Sequence, residues 1–250
     1  MRILCVIPSR IGSTRLPRKP LLPIQGKPMI QWVYERASSC ELLNKVIVAT
    51  DSSEIADLIK SCGGDVEFTD PNIRTGSDRV SAVSEKYPNM DIVINLQGDE
   101  LFIKPRMLEQ LVEPYLIGDS PEVTTLAYKL DIEHDYENPG VVKVITDLNG
   151  DAIYFSRSSI PHTNKQPKSG LGSVPIYHHM GLYAFRRDFL LKYKDLPQTP
   201  LELSESLEQL RVLEHGYRIR VCITEEKTLE INTPEDLVRA ETFQYNTKGV

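Results

Sequence analysis

Nearly continuous apolar runs alternate with segments of helical period through the first hundred residues, and that rhythm leaves few folds open. Ile3–Ile7, Lys45–Thr50, Val66–Thr69 and Ile92–Leu96 read as strands. Between them, Met29–Ser38, Ser53–Ser61 and Asp78–Lys86 carry the three-to-four spacing of amphipathic helices. Gly63 and Gly64 stop the second of these, as helix C-caps do. Strands apolar along their length are buried on both faces. The repeated strand–helix alternation therefore predicts an α/β fold with a mostly parallel sheet flanked by helices.

After Pro105, which starts a helix running to about Leu116, the pattern changes. Val123–Leu130, Val141–Thr146 and Ala152–Ser156 read as strands, and Asn149-Gly150 between the last two is a strong hairpin signal. Beyond an aperiodic stretch from His162 to Pro175, expected to be a mobile loop, come a strand Tyr177–Phe185 and a helix Leu203–His215 closed by Gly216. A strand Arg218–Ile223 and a final helix from Pro234 follow. The expectation is one domain over residues 1–250, with an antiparallel hairpin subdomain inserted at about 122–187 for dimerisation or substrate binding.

The bulk numbers exclude several classes. With 26% charged and 40% hydrophobic residues the chain is an ordinary globular protein, neither disordered nor fibrous. A formal charge of −6 argues against a nucleic-acid binder working through a general basic surface. Cys5, Cys40, Cys62 and Cys222 are scattered without a C-x-x-C pair, as expected of reduced thiols in a cytoplasm. The chain opens almost directly on its first strand, with no leader pattern, and no apolar run approaches the roughly 18 residues of a membrane span. A soluble, cytoplasmic protein with no membrane partner is expected.

Against that acidic background, Arg10, Arg15, Arg18 and Lys19 crowd the loop Ser9–Pro20 that follows the first strand. Open α/β sheets bind ligands at the carboxyl ends of their strands. Arginine forks and a lysine point charge match phosphate oxygens, and small loop residues expose backbone N–H groups. A nucleoside triphosphate is the simplest occupant.

The fourth strand ends in Leu96-Gln97-Gly98-Asp99-Glu100, presenting a carboxylate at the same edge. Asp99 suits Mg²⁺, which takes one or two carboxylates plus phosphates and water; the alternative is that Asp99 and Glu100 only cap the turn. Arg74-Thr75-Gly76-Ser77-Asp78-Arg79 leads into a helix whose N-terminus can receive an anion or a base edge, with Ser77 a candidate N-cap. Arg79 reads equally as a ligand contact or a solvated helix charge.

Thr233-Pro234-Glu235-Asp236 is a helix-start pattern, and Asn232 before it reads on its own as a turn residue. Adjacent His178 and His179 point to opposite faces of a strand and do not easily ligate one ion. Trp32 is expected to pack rather than stack on a base. A Walker A loop and a G-x-G-x-x-G fingerprint are both absent, and no Ser-His-Asp or Cys-His set stands out.

Taken in order, these blocks resemble the 3-deoxy-manno-octulosonate (Kdo) cytidylyltransferase family. The resemblance rests on Ile7-Pro8-Ser9-Arg10, Ser13-Thr14-Arg15-Leu16-Pro17, Lys19-Pro20, Gly26-Lys27-Pro28-Met29-Ile30 and Val48-Ala49-Thr50-Asp51. It continues through Thr75–Arg79, Asn95–Glu100, Val142-Lys143-Val144, Tyr154–Arg157, His179–Tyr183, Leu207–Arg211 and Thr233–Leu237.

The resemblance implies a nucleotide-diphospho-sugar-transferase-like fold, a homodimer, Mg²⁺, and transfer of CMP from CTP to the acidic sugar Kdo for lipopolysaccharide synthesis. It implies that Arg10, Ser13, Arg15 and Lys19 hold the triphosphate, with Arg15, Lys19 and Asp99 catalytic. Thr75, Gly76, Arg79 and Gln97 would lie around the nucleotide, and Arg157, His179, Tyr183, Glu208 and Gln209 would form the sugar pocket. Asp99 and residue 232 would hold the metal. Two positions depart from the family pattern: Leu101 stands where proline is usual, and Asn232 where a second metal-binding aspartate is expected. They leave open a related acidic sugar, such as 8-amino-Kdo or a nonulosonate, and a non-catalytic nucleotide-binding regulator.

Overall fold

The computed structural model describes residues 1–12, 16–73, 75–162, 175–229, 231 and 233–242. The chain divides into two compact units, Met1–Glu109 with Thr228–Val250, and Gln110–Lys227.

The first unit is built on β1 (Ile3–Ser9), buried at every position except half-buried Pro8. A 3₁₀ turn, Lys19–Leu21, leads to a short antiparallel pair, β2 (Pro23–Ile24) and β3 (Lys27–Pro28). Its two-residue connection, Gln25-Gly26, has positive φ at both positions (51° and 77°), the geometry of a type I′ turn. Then come α1 (Met29–Ser38), β4 (Lys45–Thr50), α2 (Ser53–Ser61), β5 (Asp65–Phe68), α3 (Gly76–Glu85) and β6 (Ile92–Asn95).

β1 lies between β4 and β6, and β5 lies outside β4, all parallel, so the order is β6-β1-β4-β5. α1 packs on β4 and β1, α2 on β4 and β5, and α3 on β1 and β6. This is the expected arrangement, and it puts the carboxyl ends of four strands at one edge. α3 starts two residues earlier than its periodicity suggested, because Thr75 rather than Ser77 is the N-cap: its Oγ1 accepts from the Asp78 amide at 3.1 Å.

Helix α4 (Pro105–Leu116) leads into the second unit, which contains β7 (Val123–Lys129), α5 (Ile132–Asp135), β8 (Lys143–Thr146), β9 (Ala152–Ser156) and β10 (Tyr177–Arg186). It continues with α6 (Arg187–Tyr193), α7 (Pro200–Glu205), α8 (Gln209–Glu214) and β11 (Ile219–Ile223). β7 pairs antiparallel with β10 and parallel with β11, while β8 pairs antiparallel with β9 and β10. The Asn149-Gly150 hairpin forms: Gly150 has φ 85°, and the Asp147 carboxylate accepts from the Asn149 and Asp151 amides.

Two expectations are corrected. The second unit runs from 110 to 227 rather than from about 122 to 187, because β11 hydrogen-bonds along β7 and so belongs with it. The expected single helix Leu203–His215 is two helices, α7 and α8. Ser206 adopts the left-handed conformation (φ 53°) and the Leu207 amide returns to the Glu202 carbonyl, which ends the first helix. The expected loop at His162–Pro175 lies almost entirely outside the described residues.

The chain ends its described course in the first unit with α9 (Pro234–Thr242). Thr233 and Asp236 cap one another reciprocally, as the sequence pattern requires. Ala240 of α9 and Ile231 complete an apolar cluster with Leu16, Ile24, Met29, Leu101 and Phe102. Leu101, where the resemblance leads one to expect proline, is 1% exposed in that cluster. Its side chain is core.

Candidate active site

The parallel order of the first unit brings Arg10 after β1, Asp51 after β4, Thr69 after β5 and Gln97–Asp99 after β6 to one rim. Across that rim Lys19 Nζ donates to Asp99 Oδ2 at 2.6 Å, although 80 residues separate the two in sequence. Their side chains are 15% and 28% exposed, so the pair is sheltered yet open on one side. The Gln97–Asp99 turn sits tightly against the end of β1. A Cβ on Gly98 would come to 3.2 Å from the Pro8 carbonyl oxygen, which explains a glycine there.

Gly76 at the start of α3 faces the Gln97 amide and Pro8, each 3.5 Å from where a Cβ would lie. Gln97 Nε2 donates to Asn95 Oδ1 at 3.0 Å, and Asn95 Nδ2 reaches Ser77 Oγ at 3.4 Å. The α3 N-terminus and the Gln97 turn therefore form one polar wall, with the helix dipole adding positive potential.

Arg79 is not a solvated helix charge. It is 2% exposed, donates to Thr69 Oγ1, and lies 3.6 Å from Asp51 Oδ2. Burial, helped by nearby Arg10, pulls its pKa down, and Asp51 and Asp70 oppose that pull. Asp51 Oδ1 in turn accepts from the Ile11 amide at 3.4 Å, at the root of the basic loop. Arg79 thus supports the rim from behind. Asp51 was visible in the sequence only as part of a matching block; its tie to the loop needed the fold.

Arg10 is exposed at the edge. Ser13, Arg15 and Asn232 lie outside the described residues. Among the described residues no group of three His, Cys, Asp or Glu side chains is placed to hold a metal ion. Asp51 is tied to the Ile11 amide and faces Arg79, so Asp99 is the rim carboxylate that suits an ion taking most of its ligands from phosphates and water. Trp32 packs as expected: its Nε1 donates to the Ile24 carbonyl, and Lys27 Nζ lies 4.1 Å from its ring centroid.

The remaining candidates belong to the second unit. His179 and Tyr183 on β10 straddle a register shift between Met180 and Tyr183, which leaves their rings 5.5 Å apart. His179 is 6% exposed, with Phe155 edge-on at 4.8 Å. Thr125 Oγ1 donates to the Leu182 carbonyl at 2.8 Å and lies 3.0 Å from His179 Nε2.

Burial, with His178 adding to it, pushes the His179 pKa down to about 3. This ring is neutral and supplies no cation. His178 turns the other way, to the Tyr128 hydroxyl at 2.6 Å. Glu208 is exposed at the α8 N-cap, and its carbonyl accepts from the Tyr193 hydroxyl. Gln209 is 6% exposed, and its Nε2 finds no acceptor among the described residues. A buried amide donor without an acceptor is costly.

Arg157, just after β9, is half-buried, with Nε on the Glu205 carbonyl (3.1 Å) and Nη1 on the Pro139 carbonyl (3.2 Å). No carboxylate among the described residues forms an ion pair with it. Sequence reasoning gave no role to two residues here, Lys143 and Glu205. Lys143 stood between two valines in a matching block without a role assigned to it, and Glu205 lay inside what reads as an unbroken helix.

A family model described as cytidylyltransferase matches residues 4–221. A 3-deoxy-manno-octulosonate cytidylyltransferase of Acaryochloris marina is 54% identical, over 97% of each chain. One from Geobacter metallireducens is 44% identical over 95% of each. The solved structure of a CMP:2-keto-3-deoxy-manno-octonic acid synthetase complexed with CTP superposes with TM-score 0.90 at 39% identity, covering 96% of this chain and 97% of that one. A 4-diphosphocytidyl-2C-methyl-D-erythritol synthase from Anaerococcus prevotii, 14% identical with TM-score 0.65, shares the fold.

Proposed function

The chain belongs to the cytidylyltransferase family, among its 3-deoxy-manno-octulosonate members, and from that premise we propose how its residues divide the work. The enzyme activates Kdo with CTP, moving CMP to the sugar and releasing pyrophosphate; the product feeds lipopolysaccharide synthesis. The observation that carries the residue assignment is the Lys19–Asp99 contact at the strand carboxyl edge, where a cation and a carboxylate meet and are partly exposed.

The anomeric hydroxyl oxygen of Kdo attacks the α-phosphorus in line. A P–O bond to the sugar forms, the bond to the β-phosphate bridging oxygen breaks, and the hydroxyl proton passes to solvent. Pyrophosphate leaves toward Arg10, Ser13, Arg15 and Lys19, whose charges neutralise it. Chemistry of this kind needs positioning and charge neutralisation rather than a covalent nucleophile. Thr75, Gly76 and Gln97 hold the nucleotide against the α3 N-terminus, and Arg79 braces that wall through Asp51.

Asp99, with the carbonyl oxygen of Asn232, would hold Mg²⁺, which when bound neutralises phosphate charge and lowers the pKa of a coordinated oxygen. Arg157 meets the sugar carboxylate, because it is the cation among the sugar-side candidates and its guanidinium hydrogen-bonds to carbonyl oxygens rather than to a carboxylate. Gln209, Tyr183 and Glu208 orient hydroxyls, and neutral His179 walls the pocket.

A homodimer in the cytoplasm is part of the same proposal. No helix among the described residues is long and apolar enough to cross a membrane.

A pyrophosphate-release panel tests the reading: CTP against ATP, GTP and UTP, and Kdo against 8-amino-Kdo and a nonulosonate. Release with CTP and Kdo at least tenfold above every other pair is expected; equal rates with another sugar acid would reassign the substrate. Asn232→Asp tests the metal reading. Restoring a second carboxylate is expected to lower the Mg²⁺ concentration for half-maximal activity by about tenfold, the worth of one added charge partly screened by water. An unchanged requirement would remove residue 232 from the metal site.

A further inference from the structure

In the second unit Arg157 is held at its backbone and at two of its three guanidinium nitrogens. Its backbone N–H donates to Glu205 Oε2 at 3.0 Å and its Nε to the Glu205 carbonyl at 3.1 Å. Its own carbonyl accepts from Lys143 Nζ at 2.5 Å, and its Nη1 donates to the Pro139 carbonyl. Nη2 alone has no partner among the described residues.

The two clamping residues are themselves fixed. Lys143 is 0% exposed and spends its other two protons on the carbonyls of Asn138 (2.9 Å) and Val141 (2.8 Å). The Glu205 carboxylate also accepts from Ser156 Oγ at 2.6 Å and from the Tyr154 hydroxyl at 3.4 Å. Nothing in ordinary packing requires a buried ammonium and a carboxylate to grip the same peptide from opposite sides, since burying each charge is costly.

The guanidinium, by contrast, is bonded only to neutral carbonyls. Its hydrogen bonds hold the plane still, and the Glu205 carboxylate acts on the charge only through space, not by a direct ion pair. That is the preorganisation a bidentate carboxylate site needs, since a fork that must first be ordered loses affinity.

We propose that Glu205 and Lys143 are positioning residues that hold Arg157 for recognition of the sugar carboxylate, and so set the enzyme's preference for an acidic sugar. The proposal rests on the reading of Arg157 given above. Burial lowers the Lys143 pKa, Glu205 opposes that, and the Glu205 carboxyl is held below its usual value despite burial by the Ser156 and Arg157 hydrogen bonds.

The test uses the full-length enzyme at saturating CTP, with Kdo varied, in four forms: wild type, Glu205→Gln, Arg157→Ala and the double variant. Glu205→Gln keeps size and shape but loses the charge and one acceptor oxygen. It is expected to raise KM for Kdo about tenfold or more, with kcat and KM for CTP moving less than twofold. The double variant should be no worse than Arg157→Ala alone. Lys143→Met should show the same one-sided KM effect.

A rise with Arg157→Ala but none with Glu205→Gln overturns the clamp while leaving the Arg157 reading intact. An unchanged KM in Arg157→Ala overturns that reading and the clamp with it. A Glu205→Gln variant in which KM rises equally for both substrates while the melting temperature collapses shows Glu205 to be scaffold only, and also overturns the clamp.

Discussion

Asp99→Ala is expected to lower kcat for pyrophosphate release by about 10²- to 10³-fold, the usual loss when a preorganised charge at a reacting phosphate or carbonyl is removed. The side chain is held at the rim by Lys19, and the turn carrying it is seated against β1 by the close approach of Gly98 to Pro8. Misfolding does not account for such a loss. Asp99 is 28% exposed, and partly exposed ion pairs contribute only about 0–1 kcal/mol, so the melting temperature should stay within about 3 °C of wild type. Removing the carboxylate also takes a negative charge away from the triphosphate, so CTP affinity without Mg²⁺ should hold or rise while the Mg²⁺ dependence of binding disappears. A variant that turns over at the wild-type rate would take Asp99 out of the mechanism.

The largest stability effect is expected at Arg211. In the second unit its guanidinium grips the Glu202 carboxylate with both Nε (2.7 Å) and Nη2, and the two side chains are 9% and 5% exposed. Glu202 is also the reciprocal cap of α7, accepting from the Thr199 amide at 3.3 Å. Arg211→Met leaves a buried carboxylate without its cation, which costs about 3–5 kcal/mol, or a drop of roughly 6–20 °C for a chain of this size.

Burial alone pulls the Glu202 carboxyl up, but its hydrogen bonds to Arg211 overcome that, and its pKa lies below the usual value. The pair's stabilisation is therefore complete above the ordinary carboxylate pKa and lost as pH falls through the lower folded value. The gap between wild type and Arg211→Met should be full at pH 7 and shrink below about pH 4. Thermal unfolding at both pH values measures it. A gap under about 1 kcal/mol at pH 7, or one that widens in acid, contradicts this account.

The parts of the fold legible in the sequence were those set by local pattern. Apolar β1, the glycine stops after α2, the Asn149-Gly150 hairpin and the Thr233 cap all follow from residues within a few positions of one another. The Lys19–Asp99 contact was foreseeable as a shared rim, because parallel strands deliver their carboxyl ends to one edge whatever their sequence separation.

What stayed hidden depends on partners far along the chain or on a single unusual dihedral. A serine at 206 carries no signal that it will turn left-handed and split a helix. That β11 joins the second unit is decided by its pairing with β7. Arg79 reads equally as a ligand contact or a helix charge until Thr69 and Asp51 are seen beside it. Lys143 and Glu205 look like ordinary strand and helix charges until both are found on Arg157. Such buried polar sites run against local pattern, which is where function tends to override it.

The central claim is that the Lys19–Asp99 rim receives a metal-bound cytidine nucleotide. Anomalous scattering from a crystal of the enzyme with CTP and Mn²⁺, standing in for Mg²⁺, tests it directly. The account predicts a manganese peak within about 2.5 Å of an Asp99 carboxylate oxygen and of a CTP phosphate oxygen, with Lys19 Nζ turned from Asp99 to the phosphates. Manganese bound elsewhere, with Lys19 still on Asp99 and the triphosphate away from that edge, would contradict it.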